Sequence, residues 1–204
     1  MTQRVSGTVF IVDDDNDFRD SMKWLLEADN FHVVGFSSAH DFLDRYDGEM
    51  GCMLLDIRMP EINGLALQQI MIERGIKLPI IIISGHGDIP MAVNAMKNGA
   101  LDFIEKPFDD EVLLRLVEQG LQRADDMFKD SNELKVIRSY YASLSKREKE
   151  VMALVVGGKS NREIAEELGI SPKTVEVHRA RVMSKMRAEN LPVLVQQANR
   201  LNVA

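Results

Sequence analysis

Along the first 125 residues, short apolar or β-branched runs alternate with amphipathic segments. The runs are Thr8–Val12, His32–Phe36, Met53–Leu55, Ile80–Ile83 and Leu101–Ile104; the segments are Asn16–Ala28, Ala39–Tyr46, Gly64–Arg74, Asp88–Asn98 and Asp109–Arg123. Parallel neighbours need a long crossover, usually a helix, so strands that each precede a helix predict a parallel sheet with helices on both faces. Ile80–Ile83 shows no alternation, which fits a central strand buried on both sides. Asn63-Gly64 opens one predicted helix, Gly75 closes it, and Asn98-Gly99 closes the next.

From Leu144 the strand pattern is gone. Helical stretches are predicted at Ser145–Val156, Asn161–Leu168, Pro172–Met186 and Pro192–Asn202, with Gly157-Gly158 and Gly169 as breaks. The intervening Ala124–Ser143 is charged and mixed, without a strong apolar stripe, and reads as a linker or as an extension of the preceding helix. The expected organisation is an α/β domain over residues 1–125, a linker over 126–143 and a small all-α domain over 144–204.

Composition narrows the class. With 45% hydrophobic and 28% charged residues in 204, a wholly disordered chain, a collagen-like fibre and an end-to-end coiled coil are excluded. A single cysteine, Cys52, forbids an intrachain disulfide and argues against a Cys-based zinc site; it reads as a small buried residue. The first apolar run stops at Asp13, and no stretch approaches the ~20 residues of a membrane span, so a cytosolic protein with no membrane partner is expected. Residues 1–143 hold 14 basic against 25 acidic side chains, net −11, whereas residues 144–204 hold 11 against 7, net +4. Such asymmetry fits two modules with different partners, the second a polyanion.

Ligands of an open parallel sheet bind at the carboxyl ends of its strands. The first predicted strand ends in Asp13-Asp14-Asp15 and the third in Asp56, so these carboxylates converge at one edge. Crowded carboxylates resist joint ionisation and call for a cation, and all-oxygen ligation at an open edge suits Mg²⁺. Asp15 or Asn16 reads as the cap of the next helix. Ser84 adds a hydroxyl and Lys106, rigidly held before Pro107, an ammonium able to neutralise phosphoryl oxygens. An acceptor carboxylate, a cation site, a hydroxyl and a fixed positive charge are the parts of phosphoryl transfer to an aspartate. His86 reads as a loop residue rather than a base, and His32 and His40 lack a second ligand.

The motifs Val-Asp-Asp-Asp at 12–15, Leu-Asp-Ile-Arg-Met-Pro-Glu-Ile-Asn-Gly at 55–64, Ile-Ser-Gly-His-Gly-Asp at 83–88 and Phe-Ile-Glu-Lys-Pro-Phe at 103–108 resemble the receiver domain of two-component response regulators over roughly residues 7–125. The resemblance implies a flavodoxin-like, doubly wound five-stranded sheet. It implies Asp56 as phosphoacceptor, Mg²⁺ held by Asp13, Asp14, Asp56 and the Arg58 backbone carbonyl, Lys106 on the phosphoryl group, and Ser84 with Phe103 as a switch pair. Many relatives carry Thr and Tyr there; Ser84 keeps the hydroxyl, but Phe103 excludes a switch built on a phenolic hydrogen bond. A cis Lys106-Pro107 bond is also implied.

In the C-terminal domain, Asn161–Leu168, a break at Gly169-Ile170 and Ser171-Pro172 opening a helix read as helix-turn-helix. On the second helix Val175, Val182 and Met186 form the core stripe. The opposite face carries Lys173, Glu176, Val177, Ala180, Ser184 and Arg187, flanked by Arg179, Arg181 and Lys185: cations for phosphates at the edges, short or specific side chains for bases at the centre. The stretches 144–148, 160–165 and 171–179 resemble the LuxR-type helix-turn-helix of the NarL/FixJ class, and the receiver motifs are most like the FixJ branch. The resemblance implies a DNA-binding set of Lys173, Thr174, Glu176, Val177, His178, Ala180, Arg181 and Lys185. It also implies a dimer contact on the last helix through Leu191, Leu194, Val195, Ala198 and Leu201, and a sensor histidine kinase, double-stranded promoter DNA, RNA polymerase and a second copy of the chain as partners. The reading is a phosphorylation-switched transcriptional activator, not an enzyme acting on external substrate. Two alternatives stand beside it: a haloacid-dehalogenase-type phosphohydrolase using the Asp-x-Asp at 13–15, and a protein-docking role for the basic domain.

Overall fold

The structure, a computed structural model, describes residues 6–85 and 89–203, so His86, Gly87 and Asp88, and with them the reading of His86, lie outside the described residues. It divides between Phe128 and Lys129 into two compact units.

In the first unit, β1 (Thr8–Val12), β2 (His32–Phe36), β3 (Gly51–Asp56), β4 (Ile80–Ser84) and β5 (Asp102–Glu105) form one parallel sheet in the order β2-β1-β3-β4-β5. β1, β3 and β4 are buried along their whole length, as the unalternating Ile80–Ile83 predicts, and β2 and β5 are the edges. Successive side chains point to opposite faces. Phe10, Met53, Leu55 and Ile82 therefore meet Phe42 of α2 (Ala39–Arg45), Leu67 of α3 (Gly64–Glu73) and Ala95 of α4 (Ile89–Lys97). Val9, Ile11, Leu54, Ile81 and Ile83 meet Leu26 of α1 (Asn16–Ala28) and Leu113 and Val117 of α5 (Asp110–Ala142) on the other side. Cys52 is fully buried there, its thiol pushed up to about 12 by burial.

Two differences from the sequence reading concern where elements end. β3, β4 and β5 run one residue beyond the apolar runs, to Asp56, Ser84 and Glu105, and β3 starts two residues early at Gly51, because the ladder continues: Asp56 pairs in register with Ile83, and Ser84 with Glu105. Backbone hydrogen bonding is blind to the polarity of the side chain it carries. α5 likewise continues past Arg123 to Ala142, since the chain carries no Gly or Pro after Gly120 until Gly157. The segment left open between linker and helix extension is helix, and from Lys129 it belongs to the second unit.

There, Ile137 and Leu144 enter a core with Val151, Met152, Ile164, Val175, Val182, Met186, Leu194 and Ala198. α6 (Lys146–Val156) and α7 (Asn161–Leu168) each begin with a capping box, Ser145 with Glu148 and Ser160 with Glu163. Gly169 takes the left-handed conformation, φ 63°, that ends α7. α8 (Pro172–Met186) is capped by Ser171 with Pro172 in its first turn, and α9 (Leu191–Leu201) by Asn190. The face assigned to α9 needs correcting. Leu194 and Ala198 are buried in the unit's own core, with Leu201 packed against it, because a helix this amphipathic turns its apolar stripe inward. Leu191, Pro192 and Val195 instead line an open, mostly apolar depression beside Gln196, Asn199 and Arg200.

Candidate functional site

The carboxyl edge of the sheet gathers the side chains expected there. Asp13, just beyond β1, and Asp56, ending β3, are buried, and the ammonium of Lys106 bridges them, 2.9 Å from Asp13 Oδ2 and 3.2 Å from Asp56 Oδ1. Each carboxylate's other oxygen accepts a backbone N–H: Asp13 Oδ1 from Asp15 at 2.8 Å and Asp56 Oδ2 from Arg58 at 2.6 Å. The Lys106 N–H donates to the carbonyl of buried Ser84 at 2.8 Å, joining the ends of β4 and β5, and the Lys106-Pro107 bond is cis. Asp15 caps α1, accepting from Asp17 N and Phe18 N, and Asp14 is exposed. Phe103 is half-buried against the α2–α4 side of the core. A Cβ on Gly64 would come within 2.2 Å of the Asp56 carbonyl, so only glycine lets α3 begin this close behind Asp56.

Charge is unbalanced at this edge. Burial raises the Asp13 carboxyl above the usual aspartate range, and the hydrogen bond from Lys106 opposes it. Asp13 and Asp56 share one ammonium and Asp14 stands exposed next to Asp13, a donor set that fits a hard divalent cation. Among the described residues no three Asp, Glu, His or Cys side chains converge on a point. His40 does have a neighbour, Glu61 Oε2 at 3.3 Å, but the pair is exposed.

Sequence reasoning missed one residue here: Lys106 Nζ lies 3.5 Å from the ring centroid of Phe18, in the first turn of α1. An aromatic three residues after the acidic run was the available signal.

On α8, Val175, Val182 and Met186 are buried as the spacing predicts, and Lys173, Thr174, Glu176, Val177, Ala180, Arg181, Ser184, Lys185 and Arg187 are exposed. His178 is half-buried, its Nδ1 buried without a hydrogen-bond partner, and Arg179 donates to Asn161 Oδ1 at 2.9 Å, tying α8 to α7. Lys173 pairs with Glu176 at 3.0 Å. Lys185 is less free than a flanking phosphate contact should be: its ammonium lies 2.7 Å from Oε2 of buried Glu148 and 3.3 Å from the Ser143 carbonyl.

That pair gives a prediction with two readouts. The Lys185 hydrogen bond, with the Ser145 N–H, holds the Glu148 carboxyl below the ordinary glutamate range. A carboxyl depressed in the folded state contributes stability that is present above its unfolded value, near pH 4.3, and lost as pH falls through the folded one. Lys185→Met is expected to cost about 1–2 kcal/mol at pH 7 in denaturant titrations, with the gap to the parent closing in acid, and to leave the salt slope of DNA binding unchanged. Arg181→Ala is expected to lower that slope by about one, as loss of a single phosphate contact does.

An acidic pocket at the switch edge of a doubly wound sheet, with a helix-turn-helix in the same chain, defines a response regulator with a DNA-binding output. Residues 9–118 match the family described as response regulator receiver domain, and residues 142–198 the family described as bacterial regulatory proteins, luxR family. The chain belongs to the two-component response regulators that act as transcription regulators. It is 44% identical to the transcriptional regulatory protein FixJ of Bradyrhizobium diazoefficiens over 95% of both chains, and 42% identical to the response regulator protein TodT of Pseudomonas putida over 98% of this chain and 88% of that one. Among solved structures, the response regulator StyR superposes with a TM-score of 0.81 at 39% identity, covering 95% of this chain and 98% of the other. Full-length FixJ from B. japonicum gives 0.58 at 43% identity, covering 97% and 98%. Receiver domains use Mg²⁺ for phosphorylation, and no helix among the described residues is long and apolar enough to cross a membrane.

Proposed function

We propose that Asp56 accepts a phosphoryl group from a cognate sensor histidine kinase, and that the receiver, residues 1–125, thereby switches the DNA affinity of the C-terminal domain. The carrying observation is the Lys106 ammonium bridging buried Asp13 and Asp56. An Asp56 carboxylate oxygen forms a bond to phosphorus as the bond from phosphorus to the donor histidine nitrogen breaks. Lys106 then exchanges Asp56 for a phosphoryl oxygen, joined by the Ser84 hydroxyl. Asp13, Asp14, Asp56 and the Arg58 carbonyl are the ligands for Mg²⁺, which when bound neutralises charge on the phosphoryl oxygens. Inward movement of Ser84 opens space for Phe103, which is free of any hydroxyl to anchor.

Helix α8 lies in the major groove in this reading. Lys173, Thr174, His178 and Arg181 meet the backbone, Glu176 accepts from a cytosine amino group, and Val177 and Ala180 reach thymine methyls, while Lys185 supports the helix from behind. The phosphorylated chain dimerises on an approximate inverted repeat and acts in the cytoplasm as an activator with RNA polymerase. Sedimentation and DNA titration of the full chain with Mg²⁺, with and without beryllofluoride, test this. The activated chain is expected to dimerise and to bind a selected site about 5- to 150-fold more tightly. A monomer at tens of micromolar with the same gain in affinity would replace dimerisation by release of an inhibited DNA-binding domain.

A further inference from the structure

We propose that Phe18 is a positioning residue for phosphoryl transfer: its ring face holds the Lys106 ammonium between Asp13 and Asp56 and so sets how fast Asp56 gains and loses its phosphoryl group. The inference rests on Asp56 being the phosphoacceptor.

Lys106 Nζ sits in a three-sided cradle of Asp13 Oδ2 at 2.9 Å, Asp56 Oδ1 at 3.2 Å and the centroid of the Phe18 ring at 3.5 Å. That last distance is well inside the ~6 Å over which a ring quadrupole attracts a cation. The three contacts differ in what happens to them during the reaction. Asp56 changes partner when it is phosphorylated, and Asp13 is a proposed metal ligand, so both carboxylates are drawn away from the lysine. The ring has no competing ligand. It is the one contact that can hold a long, flexible side chain in place while the other two are in exchange.

The ring itself is fixed from two sides. Its backbone N–H donates to the Asp15 side chain at 3.1 Å in the first turn of α1. Its edge packs against Phe108 at 6.3 Å and 90°, and Phe108 lies two residues beyond Lys106. Ring and ammonium are thus mounted on the same corner, between the start of α1 and the end of β5. A phenylalanine that only filled the core would have no reason to present the centre of its face to an ammonium.

Phosphorylation from acetyl phosphate forms the Asp56 oxygen–phosphorus bond and releases acetate; hydrolysis forms the water oxygen–phosphorus bond and restores the carboxylate, the proton passing to phosphate or solvent. Both transition states place charge on the oxygens that Lys106 meets, so a displaced ammonium slows both. With Mg²⁺ and acetyl phosphate, Phe18→Leu is expected to slow labelling and, after donor removal, decay, each by about 3- to 10-fold and in parallel. Phe18→Tyr keeps the face and is expected to retain both rates. Pentafluorophenylalanine at position 18 nearly keeps the ring's size but inverts its quadrupole, and is expected to slow both rates as Phe18→Leu does while still showing a cooperative melting transition. Parental rates in the fluorinated protein, or a Tyr variant as slow as Leu, would overturn the proposal. Undiminished labelling of Asp56→Asn would instead remove the phosphoacceptor reading beneath it.

Discussion

Asp56→Asn is expected to abolish labelling by acetyl phosphate or a histidine-kinase domain in the presence of Mg²⁺, the largest functional loss available to a single substitution in this chain. The amide is isosteric but is no nucleophile, and Asp13, the carboxylate that shares Lys106 with it, does not stand ready to replace it. Asp13 is buried and both its oxygens are already engaged, by Lys106 at 2.9 Å and the Asp15 N–H at 2.8 Å. The variant should fold. Neutralising one of two buried carboxylates removes a repulsion, and Lys106 keeps Asp13 as its partner, so the melting midpoint should hold or rise. Phosphate-affinity gels and intact-mass measurement read the outcome. An acylphosphate mapped to Asp13 in this variant would mark hydrolase-type chemistry in place of a phosphorylated switch.

The second large effect concerns where the DNA-binding unit begins. A fragment of residues 129–204 is expected to melt about 10–25 °C above a fragment of residues 144–204, and to bind DNA at temperatures where the shorter one has unfolded. The shorter fragment keeps α6 to α9 but lacks Ile137, buried in their core, and Tyr140 and Tyr141, packed against it. Those rings also receive cations, Arg187 at 5.1 Å from the Tyr140 centroid and Lys149 at 4.7 Å from Tyr141. Arg200 of α9 loses its ion pairs with Asp130 and Glu133 as well. Burial of one large aliphatic side chain is worth about 1.5–3 kcal/mol, and the half-buried rings add about one more. For so small a domain each kcal/mol moves the midpoint by roughly 4–8 °C. Equal midpoints for the two fragments would show that the end of α5 adds nothing to this core. The same packing makes Ile137→Ala a milder version of the truncation.

Both results bear on what the linear chain discloses. Thr8–Val12, Asn16–Ala28, His32–Phe36, Asn161–Leu168 and Pro172–Met186 were legible to the residue, since local signals bound them: Asp15 and Ser171 as caps, Gly169 as a stop, a change of polarity at strand ends. The acidic edge was legible too, because in a parallel sheet every strand delivers its last residue to one side, whichever order the strands take. The order β2-β1-β3-β4-β5, which sets Asp13 and Asp56 on neighbouring strands, is a matter of long-range pairing. α9 marks the limit most clearly. Its apolar stripe announced a buried face, but no pattern along one helix says whether the cover is its own core or a second chain, and Leu194 and Ala198 turned inward.

Local chemistry, then, dictated from the linear order alone the two-part build, the delivery of Asp13, Asp56, Ser84 and Lys106 to one sheet edge, and the exposed face of α8, because strand ends and helix faces are written in short local patterns. Folding in three dimensions decided the partners. It placed Phe18 over Lys106, 88 positions away along the chain, and tied the exposed Lys185 to buried Glu148. It also carried α5 onward until Ile137 found a core to enter. Ring faces, ammonium groups and helix ends carry no mark of their destination in sequence, since the free energy that selects it comes from surfaces that meet only once the chain has closed on itself.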